Sequence, residues 1–469
     1  LAFIKAALKK RVPDLYASAP LRVETLPPAP GFPNGAAMVF PVGIRDVEAL
    51  VRWANEKDVA LYPVSSSTPI SCPPPTADPR PLVIVNMARN NRLIHADEEN
   101  RIAVIEAGVT FGEIDGLLRP YGLRAFKPLL PQAQKSVLAS YLDREPITSP
   151  YNQWDSSDPL AALEVVFGCG ERFRTGGGAA PGELEDNLKS GLRQMISSGP
   201  QVTDFTRVLQ GSQGSLGIVS WGSAYCEPIP AMERMVLVGS DRLAPLVELA
   251  YRTTWRRTSC QILIVNARQL DLMGSVIAKG GASTGDRASN WLLLCNITSS
   301  PYFPEESQSV AIADFTSDAE AQGLTVSESV NGLSGAELQS LLHSTSRQDY
   351  KAARGAYENL FCLSQLDKVD ALLGGADDRN RPAIYIQPMI HGVCCHVEAI
   401  FTDAQFGDRR REKRDEVAEG WAQRGAFFSR PYDSWGKLAF KADPGALKSI
   451  GEIKSVLDPR DIMTPGRFS

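Results

Sequence analysis

A chain of 469 residues, 43% hydrophobic and 22% charged, is too long for one ordinary core and too apolar for long disordered tracts, so two or three folded domains are expected. A net charge of −5 without a dense Lys/Arg stripe excludes the positive field that collects nucleic acid. No run approaches the roughly 18 apolar residues of a membrane-spanning helix and Leu1–Arg11 lacks a signal-peptide layout, so a cytoplasmic protein without a membrane span is expected.

Leu1–Arg11, with Lys5, Lys9, Lys10 and Arg11 among apolar residues, reads as a basic amphipathic helix, packed on its own domain or laid on a membrane surface or partner. After a Pro-rich entry, Val47, Leu50, Val51 and Ala54 recur at helical spacing over Asp46–Glu56. Apolar strands follow at Val59–Val64, Leu82–Met87 and Ile102–Glu106, the first two separated by a Ser/Pro-dense loop. Thr110 and Glu113 form a capping-box pattern that opens a helix through Leu118, with Gly122 as its terminator. Leu163–Phe167 and Glu171–Thr175 are two strands around a glycine turn, which implies a second, antiparallel layer.

From about Met232 the pattern changes to longer segments. Strands at Met235–Val238, Gln261–Val265 and Trp291–Asn296 alternate with helical stretches such as Asp314–Gln322, as in a separate α+β domain. The C-terminal stretch returns to a short strand, a helix around Pro444–Leu457 and a Pro-Gly turn. Eight cysteines lack the paired spacing of zinc or iron–sulfur sites, and Cys394–Cys395 falls in an apolar run that suits packing better than redox chemistry.

Five stretches, in this order, carry a resemblance: Phe40-Pro-Val with Val47–Ala54; Val104-Ile-Glu-Ala-Gly-Val-Thr-Phe; Leu163-Glu-Val-Val-Phe with Arg174-Thr-Gly; Gln210-Gly-Ser-Gln-Gly-Ser-Leu-Gly-Ile-Val; and the ending Leu457-Asp-Pro-Arg-Asp-Ile-Met-Thr-Pro-Gly-Arg-Phe. Together they resemble the vanillyl-alcohol oxidase and p-cresol methylhydroxylase superfamily, related to FAD-linked glycolate and D-lactate dehydrogenases. The resemblance implies an α+β fold: a PCMH-type FAD-binding domain of two subdomains over 1–230, a central α+β substrate (cap) domain over 231–425, and a segment over 426–469 that returns to the first. Arg174-Thr-Gly-Gly-Gly and Phe428-Ser-Arg-Pro lie nearer the vanillyl-alcohol-oxidase branch. His391-Gly-Val-Cys-Cys-His396-Val-Glu398 lacks the metal-binding spacing of the hydroxy-acid branch, so no catalytic metal is expected.

What the resemblance implies for site residues can be weighed against their chemistry. A flavin enzyme needs N–H groups around a pyrophosphate and a cavity for the ring. The first phosphate loop falls at Val64–Thr76, where Pro69, Pro73, Pro74 and Pro75 lack an N–H and the hydroxyls of Ser65, Ser66, Ser67 and Thr68 stand in as donors. Ala139 and Ser140 occupy the second loop, where Gly-Asn is common in the family. Gly211, Ser212, Gly214, Gly217 and Ile218 form the third contact, or simply a Gly-rich turn feeding a strand; Arg467, in the tail, completes the cofactor set. Gln153 takes the place of an aspartate that the vanillyl-alcohol-oxidase branch holds near the flavin, with Asp155 two residues on.

Arg430 aligns with an arginine that stabilises a phenolate-like substrate, a role suited to a fixed cation. His396 lies where the family has a histidine near the flavin, as base or charge stabiliser, or as a hydrogen-bonded core residue. His391 is a weaker second contact, and His95 and Arg174 are surface charges. With no flavinylation motif, the FAD is expected to be non-covalent. The sequence thus points to an FAD-dependent oxidoreductase that moves hydride from a small alcohol, phenol or hydroxy acid to flavin, in a homo- or hetero-oligomer with an electron-accepting subunit. The alternative is a flavin-free structural or interaction subunit of a larger redox complex, with the Pro-rich loop filling the old pyrophosphate groove.

Overall fold

The computed structural model describes residues 22–28, 35–66, 78–151, 158–180, 182–191, 204–276, 289–330, 332–374, 381–432, 435–441 and 443–467. Leu1–Arg11, most of the Pro-rich loop including Ser67 and Thr68, and Gln153 with Asp155 lie outside these residues. Among those described, no helix is long and apolar enough to cross a membrane.

The chain opens with a four-stranded sheet of β1 (Arg22–Leu26), β2 (Ala36–Phe40), β3 (Ala60–Val64) and β4 (Leu82–Asn86), in the order β1-β2-β4-β3. Helix α1 (Ile44–Lys57) buries Val47, Leu50, Val51, Trp53 and Ala54, the face that the helical spacing predicts. It ends where Asp58 turns into the left-handed region (φ 53°).

A second sheet joins β5 (Leu93–Asp97), β6 (Ile102–Glu106), β7 (Leu123–Ala125), β8 (Leu160–Phe167), β9 (Arg172–Arg174) and β10 (Gly217–Pro228), with β10 between β6 and β8. Helix α2 (Phe111–Leu118) starts at the expected capping box, the Glu113 carboxylate accepting from the Thr110 N–H at 3.1 Å. All eight residues of β8 are buried, as its unbroken apolar run requires. Its exception is Glu164, which accepts from Arg172 and Arg174, each at 2.7 Å, and from the Ser220 hydroxyl at 2.7 Å. Arg174, expected as a solvated charge, is therefore an almost buried partner of Glu164, and its Nη1 also donates to the Gly182 carbonyl at 2.6 Å. An unpaired Glu164 at this depth would cost several kcal/mol.

The third sheet is antiparallel throughout. It comprises β11 (Glu233–Ser240), β12 (Gln261–Asn266), β13 (Trp291–Thr298), β14 (Val326–Ser327), β17 (Tyr357–Gln365), β18 (Ala383–Met389) and β19 (Cys394–Thr402), in the order β14-β11-β13-β12-β18-β19-β17, with a small hairpin of β15 (Ser329–Val330) and β16 (Leu333–Ser334) alongside. Ile262 and Ile264 face helices α4 (Leu243–Arg256) and α5 (Pro304–Ala321), whereas Leu263 and Val265 face the opposite core under Leu338 and Leu341. Burial on both faces explains why β12 reads as a continuous apolar run. Helix α5 begins ten residues before the expected start at Asp314, with Pro304 in its first turn. Cys394 and Cys395 lie on β19 without a disulfide.

Two connections set the geometry between these units. Residues 127–148 lie between them: Leu129 and Leu130 join the core of the third sheet, Ala133 N–H donates to Ser346 O at 2.8 Å, and the Gln261 amide donates to the Thr148 hydroxyl at 2.8 Å. The C-terminal segment divides its packing. Phe428 and Trp435 belong to the core of the third sheet, while helix α6 (Pro444–Leu457) leads to a tail whose Ile462 and Met463 enter the core of the first two sheets. There Leu61 N–H donates to Ile462 O (2.7 Å) and Thr464 N–H to Leu61 O (2.8 Å), extending β3 by a parallel bridge.

Buried Asp458 shapes this tail by accepting from the N–H groups of Ile462 (3.0 Å) and Met463 (2.8 Å). Replacing Asp458 by alanine strands both donors and should lower unfolding free energy by about 2–4 kcal/mol in urea titrations. A change under about 0.5 kcal/mol would mean that burial of Ile462 and Met463 alone holds the tail.

Candidate active site

Three separate stretches converge on a cleft: Tyr62–Ser66 at the end of β3, Lys135–Asp143 around helix α3 (Val137–Leu142), and Leu209–Val219 leading into β10. Its volume, with the open mouth, is about 1120 Å³. Leu138, Leu142, Leu209 and Ile218 give it an apolar lining, and Ser65, Ser66, Ser212, Gln213 and Lys135 a polar one.

Local chemistry places these groups. Ser136 caps α3, accepting from Ala139 N–H at 3.1 Å and donating to Ala107 O at 2.6 Å. Ser136 N–H in turn donates to Ser66 Oγ at 2.7 Å, which fixes the Ser66 side chain at the cleft wall with its own O–H still a donor. In the Gly-rich turn, Gly214 has φ 74°, and a Cβ there would lie 2.7 Å from Pro63 Cγ, so only glycine lets the turn close on β3. Ser215 Oγ, in the same turn, is buried without a hydrogen-bond partner among the described residues.

Of the expected cofactor set, Ser65, Ser66, Ala139, Ser212, Gly214, Gly217 and Ile218 line this cleft together. Ser140, Gly211 and Arg467 do not. The Ser140 hydroxyl is directed instead to Glu145, at 2.6 Å, because the helix turns that side chain away from the cleft. Gly211 is tied by its N–H to Leu142 O (2.7 Å), and Arg467 follows the turn after Thr464.

A second, larger cavity of about 1630 Å³ with its mouth adjoins the cleft, and Lys135, Asp143 and Tyr432 line both. It is walled by residues 128–132, by Asp349–Ala352, and by Tyr357, Phe361, Tyr385 and Glu398 of the third sheet. Lys135 pairs with Glu145 at 2.7 Å, and Lys351 with Glu398 at 2.5 Å. Burial pushes the Glu145 carboxyl up, but Lys135 and Ser140 more than offset it, and its pKa falls to about 2. Glu398 is likewise held well below the carboxylate range, burial being outweighed by Lys351 and His396. Asp143 moves the other way, because burial exceeds the pull of Lys135 and Arg430.

Arg430 opens onto this cavity while only 9% exposed, its guanidinium carbon 3.8 Å from the centre of the Phe361 ring. Its backbone carbonyl accepts from Trp435 Nε1 at 3.2 Å and from Tyr432 N–H at 3.0 Å. No carboxylate of the described residues forms an ion pair with it. His396 is buried beside the same ring, 6.0 Å from Phe361 and 5.9 Å from Tyr385 between ring centres. Its Nε2 stands 3.8 Å from Glu398, beyond hydrogen-bond reach, and has no hydrogen-bond partner among the described residues. His391 lies elsewhere, 5.5 Å from Tyr151, and His95 is on β5.

Sequence reasoning assigns no role to Lys135, Asp143, Tyr432 or Lys351. Lys135 and Asp143 flank α3, so the helix that was read for a phosphate contact also offered them; Lys351 meets Glu398 across 47 positions and leaves no local signal.

Residues 35–176 match the family described as FAD binding domain. The chain is 29% identical over 200 residues to 1'-carboxy-chondrochloren decarboxylase of Chondromyces crocatus, covering 41% of this chain and 34% of that protein. It is 26% identical over 148 residues to the 4-cresol dehydrogenase [hydroxylating] flavoprotein subunit of Pseudomonas putida, covering 31% and 28%. These matches span about a third of each curated relative. The fold is similar to that of p-cresol methylhydroxylase solved with substrate bound, with a TM-score of 0.72 at 16% identity, over 92% of this chain and 88% of that one.

Burial, with Arg430 and Lys351 adding to it against Glu398, lowers the His396 pKa from 6.5 to about 4. Between those values the unfolded chain binds a proton that the folded chain does not, so the stabilisation is complete above 6.5 and is lost as pH falls toward 4. Imidazole resonances followed by NMR should remain those of a neutral ring at pH 6 and titrate near 4. A charged His396 at pH 6 would contradict this.

Proposed function

We propose that this chain, whose residues 35–176 match an FAD binding domain, oxidises a small alcohol, phenol or hydroxy acid with FAD held non-covalently in the cleft. The observation that carries this reading is the junction: the cleft walled by the three converging stretches shares Lys135, Asp143 and Tyr432 with a cavity containing a buried arginine that has no carboxylate ion pair among the described residues. The lining fits a flavin. It offers an apolar surface for a ring system, and hydroxyl donors and Lys135 for anionic groups. Ser65, Ser66, Ser212 and the Gly214–Ile218 turn would hold it.

When bound, FAD supplies a two-electron acceptor next to the substrate. Arg430 orients the substrate oxygen and stabilises negative charge that develops on it, a preorganised interaction strengthened by exclusion of water. Phe361 beneath the guanidinium and Trp435 on its backbone hold that cation in place, so little reorganisation accompanies the charge. His396, neutral and adjacent, keeps a second positive charge out of the pocket. Lys351, Glu398 and Asn359 form a mutually neutralised polar wall opposite, with Asn359 Nδ2 donating to Glu398 at 3.1 Å. An electron-accepting partner subunit completes the reading, in keeping with the relative whose name describes a flavoprotein subunit.

The test begins with natively purified protein reconstituted with excess FAD: an oxidised-flavin spectrum is expected, and its absence would favour a flavin-free structural subunit. Arg430→Met should lower kcat by about 10²–10³-fold with a substrate that reduces the wild type, while leaving the melting temperature nearly unchanged. Ser66→Ala should weaken FAD about fivefold, the value of one hydrogen bond near 1 kcal/mol. Unchanged turnover in the first variant would remove Arg430 from the site, and unchanged affinity in the second would place the pyrophosphate elsewhere.

A further inference from the structure

Oxidation of an alcohol, phenol or hydroxy acid releases a hydroxyl proton, and in this chain Gln153 stands where the family's nearby aspartate would be. The junction between the two cavities supplies another acid. We propose that Asp143 takes up the substrate's hydroxyl proton, an inference that rests on the function proposed above.

Position makes the first argument. Asp143 lines the cleft and the cavity alike, so a substrate placed between a flavin and Arg430 meets its carboxylate. Its competitors are committed elsewhere. Glu145 is bound by Lys135 and Ser140, and Glu398 by Lys351 and Asn359. Lys135, also at the junction, is a cation in an ion pair and has no lone pair to accept a proton. His396 packs beside Phe361 and Tyr385 and is not among the residues that line the cavity. The Asp143 carboxylate has no ion pair within reach among the described residues. The groups that face it are Lys135, Arg430, Glu145 and the Tyr432 hydroxyl, which donates to it. Burial raises its proton affinity above that of a solvated aspartate, and Tyr432 tempers the rise, which makes the ionised form a stronger base.

The step balances. The substrate O–H bond breaks, its proton passes to an Asp143 oxygen, and its electron pair becomes the second C–O bond of the carbonyl product. The carbon's hydrogen leaves with the C–H electron pair, accepted by the flavin named above as oxidant; the substrate is oxidised and the flavin reduced. For a para-alkyl phenol the same proton loss is coupled to departure of hydride from the α-carbon of the alkyl group to the flavin, and the product is a quinone methide.

The experiment mixes FAD-loaded protein anaerobically with a panel of small alcohols, phenols and 2-hydroxy acids and follows bleaching of oxidised flavin against pH. The wild-type rate should rise with pH through one ionisation and level off. Asp143→Asn should retain its flavin, bleach about 10²–10⁴-fold more slowly, and lose that ionisation. Tyr432→Phe should move it to higher pH, because a hydrogen bond favouring the carboxylate is gone. Independently of turnover, infrared difference spectra of FAD-free protein should contain a carboxylic-acid band that titrates in the wild type and is missing in Asp143→Asn. Equal bleaching of the wild type and Asp143→Asn, with the pH dependence retained, overturns the proposal and leaves the oxidoreductase reading intact. A wild type bleached by no member of the panel overturns both. Should Asp143→Asn fail to fold, an unshifted ionisation in Tyr432→Phe overturns the proposal.

Discussion

The placement of residues 127–148 between two sheets governs both cavities. One edge of this segment is bound to the first unit, where Phe111 N–H donates to Lys135 O (3.0 Å) and Val137 N–H to Val109 O (3.0 Å). The other is bound to the central sheet through Ala133, Ser346, Thr148 and Gln261. Helix α3 between these anchors cannot shift without breaking buried hydrogen bonds, whose unpaired groups would each cost about 1–3 kcal/mol. Lys135 and Asp143, at its two ends, are thereby fixed at the boundary of cleft and cavity. The pairing of the tail with β3 closes the arrangement, since the central sheet is attached at both of its ends to the first unit.

Charge burial in this molecule follows two patterns. Around Glu164, two arginines and a hydroxyl neutralise one carboxylate in the sheet interior, and the result is structural: every strong donor nearby has its acceptor. In the cavity, Lys135–Glu145 and Lys351–Glu398 are similarly closed, yet among the described residues Arg430 has an aromatic face in place of a carboxylate ion pair. A cation–π contact recovers only a part of what a buried guanidinium loses in desolvation. An anionic oxygen placed in the cavity would offset more of that loss than the aromatic face does.

Local pattern was enough for much of the chain. The helical spacing of Val47 to Ala54, the Thr110–Glu113 box and the Pro444 start each reflect interactions within a few residues, and such signals survive whatever the rest of the chain does. Helix α5 was foreshortened because its first half is largely exposed and shows no apolar stripe. For the candidate site, the Gly214–Gly217 turn and Arg430 are legible as motifs, whereas Gly211 does not line the cleft. Ser140 was read in the right helix but on the wrong side, a distinction that depends on what packs against it.

By itself, then, the amino-acid sequence determined much of the succession of helices and strands and the match of residues 35–176 to an FAD binding domain, because each is written in short-range periodicity or in contiguous motifs. Tertiary structure alone decided that Arg430 packs on the Phe361 ring and forms no ion pair with a carboxylate among the described residues, that Glu398 finds Lys351, and that Asp143 belongs to two cavities at once. Those relations join residues tens or hundreds of positions apart, and the electrostatic state of each group depends on burial and neighbours that no local pattern specifies.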